Sequence, residues 1–326
     1  MLWITVAIIG YFFNALANIL DKYILSAKIP KPSVYAFFVA IFSTFALLAA
    51  PFGLRVLSAS LLAISFISGA FFVYGLVFFY RAVRENDISR VAPLMGVFMA
   101  LGALLYTFVL QVMAGDWTTL TFSGHTETLL AFWLLLSGGF LITFDLPLRT
   151  RDIFRDVKDT AIASAFLVVS LIMLKYVYSL EGFVNGFVWS RMGLLFGGLS
   201  LLFVPTFRQE IRESFYETSR HAKGRMKSGR DQASIGLWFL TNKIIGSLGN
   251  ILVQYAIFLG PLVVVQALSG VQFAFVFLLV IPLSYRLPAF FQEKLYFNDW
   301  FQKVIALILI GLGIYVSAMS GVKLFL

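Results

Sequence analysis

The stretch 234-SIGLWFLTNKIIGSLGNILVQYAIFLGPLVVVQALSGVQFAFVFLLVIPLS-284 decides the fold. It divides into two apolar segments, residues 234–259 and 261–283, with almost no loop between them. As helices rising 1.5 Å per residue, both are long enough to cross a hydrocarbon layer of ~30 Å. The first segment carries Asn242, Lys243, Asn250 and Gln254, and the second Gln266, Gly270 and Gln272. Lys243 falls roughly 13 Å along its helix, near mid-bilayer, where an ammonium costs several kcal/mol unless it meets a partner or a wet cavity. Two readings of it stand: a functional cation, or a lysine that snorkels or pairs with helix carbonyls.

Composition generalises that reading to the whole chain. Of 326 residues, 60% are hydrophobic and 13% charged, and the mean hydropathy is +0.91. Such values lie outside the soluble globular range and imply an integral, multi-pass membrane protein of the cell or inner membrane. At ~20 residues per crossing the length accommodates about ten helices. The expected fold class is therefore an all-α membrane protein with ten transmembrane helices. The chain contains no cysteine, which excludes disulfides and thiolate metal sites. The two histidines, His125 and His221, lie outside the expected spans, so neither a metal nor another cofactor is expected. The net charge of +9 is explained by basic loops and calls for no nucleic-acid partner; the implied partners are the bilayer and a small-molecule substrate.

Working outward, the first span is expected at 3–25. The stretch before it lacks a basic n-region, so it reads as retained. Asn14, Asn18 and Asp21 succeed one another at spacings of four and three and share a helix face, which should look inward. Asp21, next to Lys22, sits near the span's end and reads as an interfacial anchor. Further spans are expected at 32–50, 57–80, 91–112, 129–146, 160–179, 183–205 and 304–320. Between them, 207–231 is a basic loop in which Phe207, Ile211 and Phe215 suggest an amphipathic helix on the membrane surface. Alternate loops hold twenty Lys and Arg, whereas the remaining loops and termini hold two, Arg55 and Lys323. By the positive-inside rule the basic loops are cytoplasmic and both termini lie outside.

The two halves compare at ordered points. Lys22, Tyr23 and Ser26 match Lys175, Tyr176 and Ser179 in spacing, and the 80–96 region resembles 255–270. Ser137-Gly138-Gly139 in the fifth span resembles Ile310-Gly311-Leu312-Gly313 in the tenth. This divides the chain into a first five-helix repeat at 1–147, a basic linker at 148–158 and a second repeat at 159–326. Because five is odd, the second repeat enters the membrane inverted.

Two stretches, Tyr80-Arg81-Ala82 with Ser89-Arg90-Val91-Ala92-Pro93-Leu94, and Gln292-Glu293-Lys294-Leu295 leading to Gly311-Leu312-Gly313-Ile314-Tyr315, carry a resemblance to the drug/metabolite transporter superfamily in its EamA-like branch. The resemblance covers essentially the whole chain. It implies inverted repeats around a central substrate, lined by the first, third and fourth helices of each repeat. Two features depart from the family's pattern: many members are drawn with cytoplasmic termini, and the first half lacks a counterpart of the Glu293 motif.

The function expected is metabolite transport by alternating access, of a small anionic or zwitterionic solute such as an amino acid. The alternative is a flippase or transporter for an anionic lipid-linked substrate, which a lateral opening between helices would favour. A scaffold or channel leaves the polar stripe of 234–259 unexplained. Enzymatic activity has no nucleophile–base pair or phosphate loop behind it. The candidate substrate-binding residues are Lys243, Asn250, Gln254, Asn14, Asn18, Arg191, Gln266 and Gln272. Lys243, Asn250 and Gln254 lie along one helix face, whereas Gln266 and Gln272 diverge by most of a half-turn. Lys175 reads as an interfacial anchor that Glu181 could neutralise, and Arg191 as a partner of Glu181 or a vestibule residue. With no acidic residue expected at mid-membrane, Lys243 should line a central cavity and offer an uncompensated charge to an anion. A salt bridge from Lys243 to Asp21 would contradict that assignment.

Overall fold

A computed structural model describes residues 2–27, 31–85, 88–113, 126–143, 150–224, 229–286 and 297–319. Among them there is no strand, and nearly every residue is helical. Eleven α-helices follow in order: α1 (Leu2–Ala27), α2 (Pro32–Phe42), α3 (Ala59–Glu85), α4 (Ile88–Met113), α5 (Thr126–Thr143), α6 (Thr150–Ser200), α7 (Pro205–Gly224), α8 (Gly229–Leu259), α9 (Leu262–Ala267), α10 (Ser269–Arg286) and α11 (Phe297–Met319). Five helical stretches within the described residues are long and apolar enough to cross a membrane: Leu2–Asp21, Pro32–Phe52, Ala59–Glu85, Val157–Phe203 and Leu262–Val280. The chain is an all-α membrane protein.

Several interruptions shape the bundle. Pro32 opens α2, where its missing N–H is harmless. Beyond Phe42 the chain tightens into a 3-10 helix, Ser43–Phe52, closed by Gly53 in the left-handed region at φ 109°. Ten residues of 3-10 helix is long for a conformation that usually persists for three or four. The 47-residue apolar stretch 157–203 turns at Gly182, whose φ of 77° and ψ of 177° no helix accommodates. α6 is therefore two arms, 150–181 and 183–200. In the expected span at 261–283, α9 passes into α10 at Leu268, whose backbone stays right-handed helical at φ −63° and ψ −11°. Near this junction the Tyr11 hydroxyl donates to the Val265 carbonyl oxygen at 2.6 Å.

Small residues set the closest contacts, because helices in lipid gain by approaching until their backbones touch. A Cβ on Gly69 would collide with the backbone of Gly193, and one on Gly249 would meet Asn14 and the Gly10 carbonyl. α1 thus lies against α8 and α3 against α6, while α5 packs on α11. Contacts of Gly10 with Gly249 and of Asp21 with Asn242 make α1 and α8 antiparallel. Gly75 touches Leu167, and Ser68 donates to the Ser170 carbonyl, so α3 runs antiparallel to the first arm of α6.

The basic segment after 205 begins with the expected helix. α7 places Ile211 in the core at 2% exposure and half-buries Phe207; the Phe215 side chain lies outside the described residues. A tether holds α7 to the start of α2: Lys31 Nζ sits 3.0 Å from Glu213, and the Ser33 hydroxyl donates to Glu210. Glu213, outside the spanning segments, has its carboxyl held below the ordinary range by hydrogen bonds from Gln209 and Lys31. The Glu293 motif and His125 fall outside the described residues.

Candidate functional site

Where α1, α8, the second arm of α6, α3 and the α2/3-10 segment converge, they enclose a cavity of about 290 Å³. This lies at the lower end of the ~300–1,000 Å³ common for small-molecule sites. The face of α1 expected to look inward does so: Asn14, Asn18 and Asp21 all line it. α8 contributes Asn242, Lys243, Ser247 and Asn250, and α6 contributes Arg191.

The charges are arranged differently from the expectation. Lys243 Nζ lies 3.3 Å from Asp21 Oδ1, an ion pair whose side chains are 15% and 9% exposed. The same oxygen accepts from Asn242 Nδ2 at 2.5 Å and from the Tyr35 hydroxyl, and Asn242 also donates to Tyr35 at 3.1 Å. The ammonium is further surrounded by the rings of Tyr35, Phe239 and Tyr80, at 4.3, 5.4 and 5.9 Å from their centroids. Lys243 thus lines the cavity, but its charge is compensated, which corrects the assignment of an uncompensated cation to it. Asp21, read from sequence as an interfacial anchor, is the buried carboxylate that does this. The reason is geometric: Asp21 and Lys243 stand at the same height on two antiparallel helices.

The uncompensated cation is Arg191. It is 8% exposed, and its guanidinium donates through Nη2 to Asn250 Oδ1 at 2.9 Å. It also lies over the rings of Phe187 and Phe72, 4.9 and 5.5 Å from their centroids. Among the described residues no carboxylate pairs with it: of its two expected readings, the pairing with Glu181 is not seen, and a neutral amide stands there while Arg191 lines the cavity. Arg191 Nε and Asn242 Oδ1 are buried without a hydrogen-bond partner, which leaves polar capacity unused on two residues of the lining. A buried guanidinium with a neutral partner can accept an anion at little further desolvation cost.

The remaining candidates lie elsewhere. Gln254, one turn beyond Asn250, is buried and accepts a hydrogen bond from Tyr178 at 3.4 Å, outside the cavity lining. Sharing a helix face placed it in line with Lys243 and Asn250, but the cavity ends before its height. Gln266 and Gln272 are both buried in α9 and α10 and line no part of the cavity. The resemblance implied a wall from the fourth helix of each repeat. Instead Gly96 of α4 packs tightly against Ser269 and Phe273 of α10, and no described residue of α4, α9 or α10 lines the cavity. Lys175 is a helix cap: its ammonium donates to the carbonyls of Ile257, Phe258 and Gly260 at 2.7, 3.4 and 3.0 Å, where α8 ends. Sequence reasoning also missed the 3-10 helix, whose Ser43, Phe45 and Ala46 line the cavity. The Ser43 hydroxyl touches the carbonyl oxygens of Ala40 and Arg191, which joins that helix to α6.

No family model matches the chain, and no curated protein matches it. Solved structures share the fold. One, described only as "Crystal structure of protein", superposes with a TM-score of 0.59 at 15% identity, covering 98% of this chain and 96% of its own. The arrangement of helices is therefore one already seen in a solved structure.

Proposed function

We propose that the protein is a secondary transporter of a small anionic or zwitterionic organic solute, working by alternating access through the cavity between α1, α3, α6 and α8. The observation that carries this reading is Arg191, a buried cation in a largely apolar cavity, whose partner is an amide and not a carboxylate. A guanidinium so placed matches a carboxylate or phosphate and leaves Asn14, Asn18 and Ser247 for the rest of the solute.

On this reading the chain holds ten spans in two inverted five-helix repeats, as the resemblance to EamA-like transporters implies. The packing supports it. Exchanging each span with the fifth one after it turns the antiparallel pair α1–α8 into the first arm of α6 with α3, which is also antiparallel and in contact. α5 and α11 exchange with each other and pack together. The Asp21–Lys243–Asn242–Tyr35 cluster, with Phe239 against Tyr35, Phe38 and Phe42, closes the cavity toward the end where α7 lies. In alternating access it is the gate that must part.

The test is uptake by proteoliposomes of a radiolabelled panel of amino acids and phosphorylated metabolites. At least one acidic or zwitterionic solute is expected to accumulate, with Arg191→Gln lowering its uptake at least about tenfold and Arg191→Lys retaining part. Uptake unchanged by Arg191→Gln, or confined to cationic solutes, overturns the proposal.

A further inference from the structure

The cavity has a wall that is also part of the outer surface. Phe45 of the 3-10 helix lines it and is 62% exposed; opposite, Ile251 of α8 lines it and is 38% exposed. Ser247 of α8 is likewise both lining and exposed. These residues lie on two elements that do not pack side by side. α8 is held by α1, α6 and α9, whereas the 3-10 helix is held by α2 and α6. Where α2 does reach α8, toward the α7 end, the ring of Phe239 fills the gap between Phe38 and Phe42. Beyond Phe42 the tighter 3-10 winding draws the backbone in and stacks side chains three apart on one edge. Phe42 and Phe45 accordingly stack at 5.8 Å, and Leu48, three further on, is 75% exposed.

Resting on the transport reading above, we propose that this gap is a lateral portal through which the same cavity also admits an anionic amphiphile, whose phosphate head binds Arg191 while its acyl chain stays in the bilayer. Charge complementarity selects the head. The uncompensated guanidinium of Arg191 is buried, whereas the portal residues Phe42, Phe45, Ala46 and Ile251 are apolar, with Ser247 the polar side chain beside them. Size selects the arrangement. A cavity of about 290 Å³ takes a phosphorylated headgroup and has no room for a long chain, so a lipid enters only if its tail leaves sideways. An exposed apolar edge that faces hydrocarbon supplies that exit at no desolvation cost.

The probes are palmitoyl lysophosphatidic acid, palmitoyl lysophosphatidylcholine, which has the same tail without net charge, and glycerol 3-phosphate, which has the head alone. Each is titrated against the purified full-length protein in a non-ionic detergent, and the thermal unfolding midpoint is read. Lysophosphatidic acid is expected to raise it saturably, and the other two to do so at least about tenfold more weakly. Arg191→Gln should weaken the lysophosphatidic acid response at least about tenfold, with Arg191→Lys between. Ala46→Trp, which narrows the portal, should also weaken it. Equal responses to the two lysolipids mean binding at the protein's lipid belt and overturn the proposal, and this comparison uses the wild-type protein alone. A response to glycerol 3-phosphate as strong as that to lysophosphatidic acid overturns the lateral route while leaving solute transport intact. Silence from all three also overturns the amphiphile, and the uptake panel then judges the transport reading separately.

Discussion

Removing the charge of Asp21 should destabilise the protein strongly, and removing the charge of Lys243 as well should restore much of the loss. Two unit charges 3.3 Å apart attract by ~5 kcal/mol at an effective dielectric constant of about 20. Breaking one partner of a buried pair typically costs ~3–5 kcal/mol, because the survivor is stranded. In Asp21→Asn the survivor is an ammonium facing the rings of Tyr35, Phe239 and Tyr80, with cation–π attraction of at most ~2 kcal/mol in compensation. A loss of about 3 kcal/mol is expected, which lowers the unfolding midpoint by roughly 5–10 °C. In Lys243→Met the survivor is a carboxylate that keeps two donors, Asn242 and Tyr35, so this loss should be the smaller. The double variant removes both charges, and its coupling energy should reach at least ~2 kcal/mol. The assay is thermal unfolding in detergent at one scan rate for the wild type, both single variants and the double. Single losses that add within ~0.5 kcal/mol in the double variant would refute the pair as an energetic unit.

Four further outcomes are expected. Gly193→Leu should destabilise by at least ~1–3 kcal/mol, since a Cβ there already meets the backbone of Ser65 and Phe66; thermal unfolding measures it. Lys175→Met should cost about 1–3 kcal/mol on the same measure, because the carbonyls at the end of α8 lose their donor. The tether of α7 to α2 should weaken in acid. The folded state depresses the Glu213 carboxyl, so its contribution is present above the ordinary carboxylate range and fades as pH falls through the depressed value. Hydrogen exchange of the α7 amides, corrected for the intrinsic pH dependence of exchange, should quicken as pH falls through that value; protection that does not change with pH would contradict it. Single cysteines, one inserted after Met1 and one replacing Lys223 in the cysteine-free chain, should be labelled from outside and from the cytoplasm respectively, and the reverse pattern would sink the orientation read from the basic loops.

Much was legible without coordinates because the bilayer acts on composition and period. Long apolar runs must be helices where no water can satisfy a backbone, so the helical class and the position of most helices follow from hydropathy alone. The spacing of Asn14, Asn18 and Asp21 places them on one face whatever that face meets, and the structure turns it to the cavity. The basic segment after 205 likewise announced an amphipathic helix, now seen as α7. What a helix face meets at each height is another matter, since it depends on a neighbour far away in the chain. Asp21 and Lys243 are 222 residues apart, and only the antiparallel seating of α1 on α8 brings them to 3.3 Å. That contact cancels the charge that looked available on Lys243 and leaves Arg191, joined to Asn250 across 59 residues, as the cation of the cavity. The turn at Gly182, the junction at Leu268 and the 3-10 winding after Phe42 were also left to the tertiary structure. Periodicity registers that a segment is helical and apolar, but the backbone's departures from a straight α-helix are set by the helices packed against it.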